Sequence, residues 1–188
     1  MIAQADTTLR LARQRRRAGR LLASAVVVAM TLFAAGHIGG LRINTTPSEP
    51  IGLWRIVLLP RPPQVGDLVF ACPPDAGRAR EARARGYLRT GLCKGGFGPL
   101  IKTVIATPGQ TVEVTTHLHV DGAPIADSAV LDRDGKGRPL AAFRGGVIPP
   151  GEVFLHSPFP ASWDSRYSGP VPIEGILGLA RPVLTHAP

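Results

Sequence analysis

The sequence predicts a mostly β, antiparallel domain preceded by one membrane-spanning helix. Three features predict it. An uncharged 21-residue run lies near the N-terminus, a series of short β-type segments broken by Gly and Pro follows it, and only one later segment has helical character. With 188 residues, 44% of them apolar, the chain can build one core after the membrane segment is set aside.

Residues 1–20 form a basic tail in which Arg10, Arg13, Arg15, Arg16, Arg17 and Arg20 face only Asp6, leaving +5. Residues 21–41 carry no ionisable side chain except His37, and 21 residues at about 1.5 Å each span a hydrocarbon core of roughly 30 Å. The arginine cluster before this span orients the N-terminus to the cytoplasm of a bacterium and residues 42–188 to the periplasm. A cleavable signal peptide is the competing reading, because Ala34-Ala35-Gly36 supplies small residues. The anchor is preferred, since a cut there would leave Ser48 close to a frayed end.

The net charge of +9 invites a nucleic-acid reading. Beyond the tail, however, most of the surplus sits in a basic insert at 73–98, where five arginines and Lys94 face Asp75 and Glu81. The rest of the domain is close to neutral and holds no recognisable nucleic-acid module, so no nucleic-acid partner is expected.

Elements follow in order. Leu53–Leu59 and Leu68–Cys72 read as strands joined through Pro60–Asp67, with Gly66-Asp67 as a turn signal. Asp75–Gly86 is the one soluble helix, with Asp75 as N-cap and Gly86 as stop; its Ala and Arg side chains offer little apolar stripe, which marks a surface insert. Leu100–Ala106 is a strand ended by Pro108-Gly109, with Gln110–Thr116 as its expected hairpin partner. Leu118–Val120 runs into the hairpin dipeptide Asp121-Gly122. Ala126–Gly146, rich in Asp, Gly and Arg, is a candidate mobile loop, and Val153–His156 and Gly175–Leu184 supply the last strands.

Two cysteines, Cys72 and Cys93, lie in the exported segment, where an oxidising compartment favours a disulfide; two free buried thiols are the alternative. Without a histidine at ligand spacing they hold no zinc, and no metal or nucleotide motif appears, so no cofactor is expected.

Ser48 stands in a loop framed by Pro47 and Pro50, each of which fixes one backbone dihedral, so its hydroxyl orders at little entropic cost. A serine nucleophile needs a base. His37, His117, His119, His156 and His186 show no context of a Ser-His-Asp arrangement. A lysine substitutes if burial leaves its amine neutral, and period two places Lys102 among Leu100, Val104 and Ala106 on one strand face. An ordinary turn serine and an edge-strand lysine remain the bland readings of these two residues.

Asn44, Thr46, Ser48, Pro50, Gly52 and Leu53 resemble the nucleophile box of the type I signal peptidase family, in its conjugative-transfer branch of pilin-maturation peptidases (TraF-type). Leu100 to Gly109 resembles that family's general-base box with its Pro-Gly turn, and Ser162-Trp163-Asp164-Ser165-Arg166-Tyr167 its late Asp-Ser-Arg-Tyr signature. Thr103 stands where the family often has arginine, and Ser157-Pro158-Phe159-Pro160 replaces its Gly-Asp-Asn-Arg stretch. The resemblance implies a signal-peptidase-like antiparallel β catalytic domain with the site close to the membrane surface. It implies Ser48 as nucleophile, Lys102 as general base, Thr46 with the Ser48 N–H as oxyanion donors, and Ser162 orienting the amine. Asp164 is implied as a catalytic or supporting residue and Arg166 as its ion-pair partner.

The expected function is then a membrane-anchored Ser/Lys serine endopeptidase of the bacterial inner membrane. It would process exported precursors, a conjugative pilin precursor first among them. The same acyl-enzyme used as a transpeptidase that cyclises pilin is the alternative. A non-enzymatic bitopic component of an envelope assembly, with the basic insert on lipid headgroups or a partner, is the second.

Overall fold

The computed structural model describes residues 2–186, with side chains from residue 13 onward. The side chains of Asp6 and Arg10, counted in the tail charge, lie outside the described residues. The chain divides after Leu41 into two units.

The first unit is one helix, α1 (Ile2–Ile38), within which Arg13–Ile38 is long and apolar enough to cross a membrane. Its aliphatic side chains are bare, Leu21 72% and Phe33 76% exposed, which is unfavourable in water and suited to lipid. The helix ends at Ile38, short of the Leu41 end of the expected span. Gly39 donates to the Ala35 carbonyl and Gly40 turns left-handed at φ 79°, closing the helix three residues earlier.

The second unit begins in β1 (Leu41–Asn44) and contains β2 (Ile51–Val57), β3 (Leu68–Ala71), β5 (Leu100–Ala106), β10 (Glu152–His156), β11 (Val171–Pro172) and β12 (Ile176–His186) in one seven-stranded sheet. The strand order is β1-β2-β12-β3-β5-β10-β11. Strands β6 (Thr111–Val114), β7 (Leu118–Val120), β8 (Ala123–Pro124) and β9 (Gly146–Val147) form a four-stranded sheet in the order β8-β7-β6-β9. In the larger sheet β2–β12, β12–β3, β3–β5, β5–β10 and β10–β11 pair antiparallel, and in the smaller so do β8–β7, β7–β6 and β6–β9.

Local signals placed the strands but not their partners. Gln110–Thr116 was expected to pair with Leu100–Ala106; instead β6 pairs with β7 and β9, and β5 lies between β3 and β10. The strands β2 and β3, consecutive through Pro60–Asp67, do not pair, because β12 inserts between them. The Asp121-Gly122 turn joins β7 to β8 with both residues at positive φ, 50° and 78°, the primed turn that matches strand twist. At Gly52 (φ 137°) an added Cβ would sit 2.2 Å from the Leu184 carbonyl, so the β2–β12 contact requires glycine beside the Ser48 loop.

Two apolar clusters flank β5. Val69, Val104, Val153 and Leu155 form one, and Trp54, Phe70, Ile101 and Ala180 another.

The insert contains α2 (Gly77–Ala84) and β4 (Thr90–Cys93). Asp75 does not cap α2. The capping position is Ala76, with no side-chain bond, and Asp75 instead accepts from Arg80 at 2.8 Å. Nor is the helix without an apolar face: Ala79 and Ala82 are buried with Leu88, Cys93 and Phe97, residues that come from beyond the helix. Cys72 and Cys93 are disulfide-bonded across a separation of 21, closing the insert on the sheet.

The Asp/Gly/Arg-rich stretch 126–146 is tied down rather than loose. Ser128 donates to the Ile125 carbonyl and accepts from Leu118 N–H, and Asp134 accepts from Lys136 N–H, Arg138 and Tyr87. Its polar side chains satisfy backbone and loop groups in place of a strand ladder.

Candidate active site

Ser48 lies in the loop between β1 and β2, and the side chain of Asn44 holds that loop in shape. Asn44 Nδ2 donates to the carbonyls of Thr46, Glu49 and Pro50 at 3.0, 2.9 and 3.1 Å, while its Oδ1 accepts from Thr46 N–H and Thr46 Oγ1 at 3.1 and 2.7 Å. Trp54 Nε1 donates to the Pro50 carbonyl at 2.9 Å, fastening the far end of the loop to the core. Ser157 Oγ donates to the Ser48 carbonyl at 2.6 Å. The prolines limit what the loop can sample, and this net selects one shape.

Lys102 sits in β5 opposite Val69 and is only 2% exposed. Its Nζ donates to Ser48 Oγ at 3.1 Å and to the Ile101 carbonyl at 2.9 Å. Burial pushes its pKa down from 10.5 to about 8, with Asp164 and then Glu49 pulling it back up and Arg166 pressing it lower. The lysine and serine that the sequence singled out are thus in hydrogen-bond contact.

Asp164 and Arg166 form a fully buried ion pair, Nη2 to Oδ2 2.8 Å and Nε to Oδ1 2.9 Å. The remaining guanidinium donors meet the carbonyls of Ala129, Ser157, Phe159 and Ser162 at 2.7–3.3 Å. Asp164 also accepts from Ser157 N–H at 3.1 Å and from Arg166 N–H at 3.1 Å, capping α3 (Ser165–Ser168). A chain of bonds therefore runs from the ion pair through Ser157 to the nucleophile loop. Asp164 hydrogen-bonds to neither Ser48 nor Lys102, and acts on the Lys102 amine through its charge, which raises the lysine pKa.

Ser162 also departs from expectation. It is buried beside the groove, but its Oγ finds no hydrogen-bond partner among the described residues, and the amine it was expected to orient bonds elsewhere. Thr46 Oγ1 lies 3.5 Å from Ser48 Oγ and its proton is held by Asn44. His156 is buried in β10 with Nε2 unpartnered among the described residues, its pKa lowered by burial.

Ser48 and Lys102 open onto a groove of about 560 Å³, walled by the nucleophile loop, by insert residues Tyr87, Arg89 and Thr90, and by Phe159, Ser162 and Trp163. Sequence reasoning missed Asn44 and Ser157 as supports of the loop. Both are short polar residues whose partners are backbone carbonyls, and no residue pattern announces such a partner. No group of three or more His, Cys, Asp or Glu able to hold a metal occurs among the described residues.

The chain is similar to several known proteins. The family described as "Signal peptidase, peptidase S26" matches residues 15–185. The chain is 58% identical over 178 residues to the "Probable conjugal transfer protein TraF" of Sinorhizobium fredii, covering 93% of this chain and 95% of that one. It is 37% identical over 162 residues to a "Plasmid transfer protein TraF" of Escherichia coli, covering 84% and 90%. The crystal structure of a signal peptidase I from Enterococcus faecalis aligns with a TM-score of 0.40 at 20% identity, over 63% of this chain and 97% of that one. With the family description spanning nearly the whole chain, this protein belongs to the signal peptidase family S26.

Proposed function

We propose that this protein is a membrane-anchored serine endopeptidase that processes exported precursors in conjugal transfer, a pilin precursor being the foremost substrate. The observation that carries the proposal is the 3.1 Å contact between Lys102 Nζ and Ser48 Oγ, made by an amine buried to 2% exposure. At a pKa of about 8 roughly a tenth of the amine is neutral at pH 7. At the reference value of about 10.4 fewer than one in a thousand would be.

In the proposed reaction Ser48 Oγ attacks the scissile carbonyl as Lys102 Nζ takes its proton. The ammonium then protonates the leaving amine. Lys102 next activates the water that resolves the acyl-enzyme. The Ser48 N–H, which donates to no described group, faces the developing oxyanion, and Thr46 Oγ1 turns from Asn44 to join it. Asp164 and Arg166 act as positioning residues through Ser157, and Ser162 as part of the groove wall. The family's naming and the TraF relatives support a peptidase role in conjugal transfer.

The helix at 21–38 would anchor the protein in the inner membrane, with the arginine-rich residues 1–20 cytoplasmic and residues 42–188 periplasmic. The test is coexpression with a candidate pilin precursor and intact-mass analysis of its termini. Ser48→Ala and Lys102→Ala should each abolish processing while the protein stays in the membrane fraction, and cleavage retained in either variant would refute the dyad. The product mass also separates hydrolysis from cyclisation, because a cyclic product lacks one water.

A further inference from the structure

Resting on the peptidase reading above, we infer that a side pocket branching from the groove takes one large apolar side chain of the substrate, Leu, Met or Phe, at a fixed position near the scissile bond. The pocket measures about 200 Å³, and Tyr87, Leu131, Leu140, Trp163 and Tyr167 form most of its lining. It shares Tyr87, Ala161, Ser162 and Trp163 with the groove that holds Ser48 and Lys102, so the two spaces are continuous. No residue of the nucleophile loop or of β5 lines it. What it selects is therefore separate from whatever lies against the serine itself.

Its walls come from three segments that are distant in sequence and fastened to one another. Tyr87 belongs to the insert, Leu131 and Leu140 to the stretch 126–146, and Trp163 and Tyr167 flank the buried Asp164–Arg166 pair along the chain. Arg85 of the insert donates to the Pro139 carbonyl at 2.6 Å and Arg138 to the Arg85 carbonyl at 3.2 Å. Leu140 N–H donates to the Asp132 carbonyl at 2.8 Å, and Leu131 N–H to the Tyr167 hydroxyl at 3.0 Å. These bonds set the walls before any substrate arrives, so an entering side chain has little left to order.

The chemistry of the walls suits an apolar occupant. Asp134 is the one acidic residue in the lining, but its side chain is 7% exposed and accepts from Tyr87, from Arg138 Nε at 2.6 Å and from the backbone N–H groups of Lys136 and Arg138. Its charge is met within the wall. A cavity of about 150 Å³ with aliphatic and aromatic walls binds a benzene ring, so about 200 Å³ has room for one Leu, Met or Phe side chain and not for a length of peptide. Ser162, which lines both spaces, is 3% exposed and its Oγ has no hydrogen-bond partner among the described residues. A peptide backbone group lodged at that junction would supply one.

The experiment digests a bacterial envelope proteome into peptides, incubates them with the full-length protein in non-ionic micelles, and reads cut sites by mass spectrometry against a Ser48→Ala background. The expected result is an enrichment of Leu, Met and Phe over Ala by about tenfold at one position near the new termini, the lower end of what burying such a side chain gives. Because the peptides compete in one pool, this ratio does not depend on how much of the protein is active. Leu140→Trp, which fills the pocket, should bring the ratio close to parity, and Leu140→Ala, which widens it, should move the preference toward Phe and Trp. Cut sites indifferent to side-chain size, or a preference unchanged in both variants, would overturn the inference while leaving the peptidase intact. So would enrichment of Lys and Arg at that position, since that assigns the pocket to Asp134. No cleavage by the unaltered protein would instead overturn the peptidase reading, and this inference with it.

Discussion

Lys102 illustrates how one side chain exchanges stability for chemistry. Its pKa falls because burial penalises the ammonium more than Asp164 and Glu49 restore it. With Lys102 as the proposed base, protonation of its amine would set the acid limb of the rate: cleavage should climb as pH rises through about 8, where the neutral form becomes the majority. Glu49, next to Ser48, holds the proton on Lys102 by its negative charge, and its own pKa is raised by burial. Removing that charge in Glu49→Gln should lower the lysine pKa and move the acid limb to lower pH. A pH profile of single-turnover acylation reads this directly, and a limb that stays in place or moves upward would show that Glu49 does not sense the amine.

Asp164 presents the opposite case, a carboxylate whose visible work is structural. Its two oxygens serve Arg166 and two backbone N–H groups, so Asp164→Ala leaves a fully buried guanidinium without its counter-charge. Breaking such a pair costs about 3–5 kcal/mol, and thermal unfolding of the variant should show it. An unaltered melting temperature together with lost cleavage would move Asp164 from support into the chemistry.

Strands and loops differ in how much of them the sequence makes legible. Strands β5 and β7 coincide with the segments expected, because Pro108-Gly109 and Asp121-Gly122 punctuate runs of β-branched and aliphatic residues. Pairing was misjudged for β6 since adjacency along the chain was taken as adjacency in the sheet, and here β5 is flanked by strands distant in sequence. The insert helix was legible in position but not in packing, as its buried alanines face Leu88 and Phe97, which no helical period within α2 includes. The insert also yields a prediction, because the 21-residue separation closed by Cys72–Cys93 stabilises it by about 3 kcal/mol through the unfolded chain. Since Tyr87, Arg89 and Thr90 wall the groove, reductant or a Cys72→Ser/Cys93→Ser double variant should lower the melting temperature and raise KM more than it lowers kcat. Equal kinetics with and without reductant would detach the insert from substrate binding.

Taken together, the chain separates two demands between its parts. A bare apolar helix is long and apolar enough to cross a membrane, and a β unit supplies a stiff frame in which a proline-bounded loop and a central strand bring an alcohol to an amine. The serine and the lysine were singled out by the boxes that resemble the family's, since flanking prolines and alternating aliphatics alone left the bland readings open, and the fold brings the two side chains to 3.1 Å. Ser157 was not singled out, because its partner, the Ser48 carbonyl, lies 109 residues away in the chain, and Asn44 was read only as a member of the nucleophile box, not as the side chain that holds the loop.

The protonation state of Lys102 beside Ser48 decides whether this frame is an enzyme. The chain holds three lysines, so a 13Cε-lysine NMR titration of the full-length protein in micelles, assigned with Lys102→Arg, isolates that signal. The account predicts a Lys102 resonance that titrates near pH 8; one that titrates above about pH 10, as in a free lysine, would contradict it.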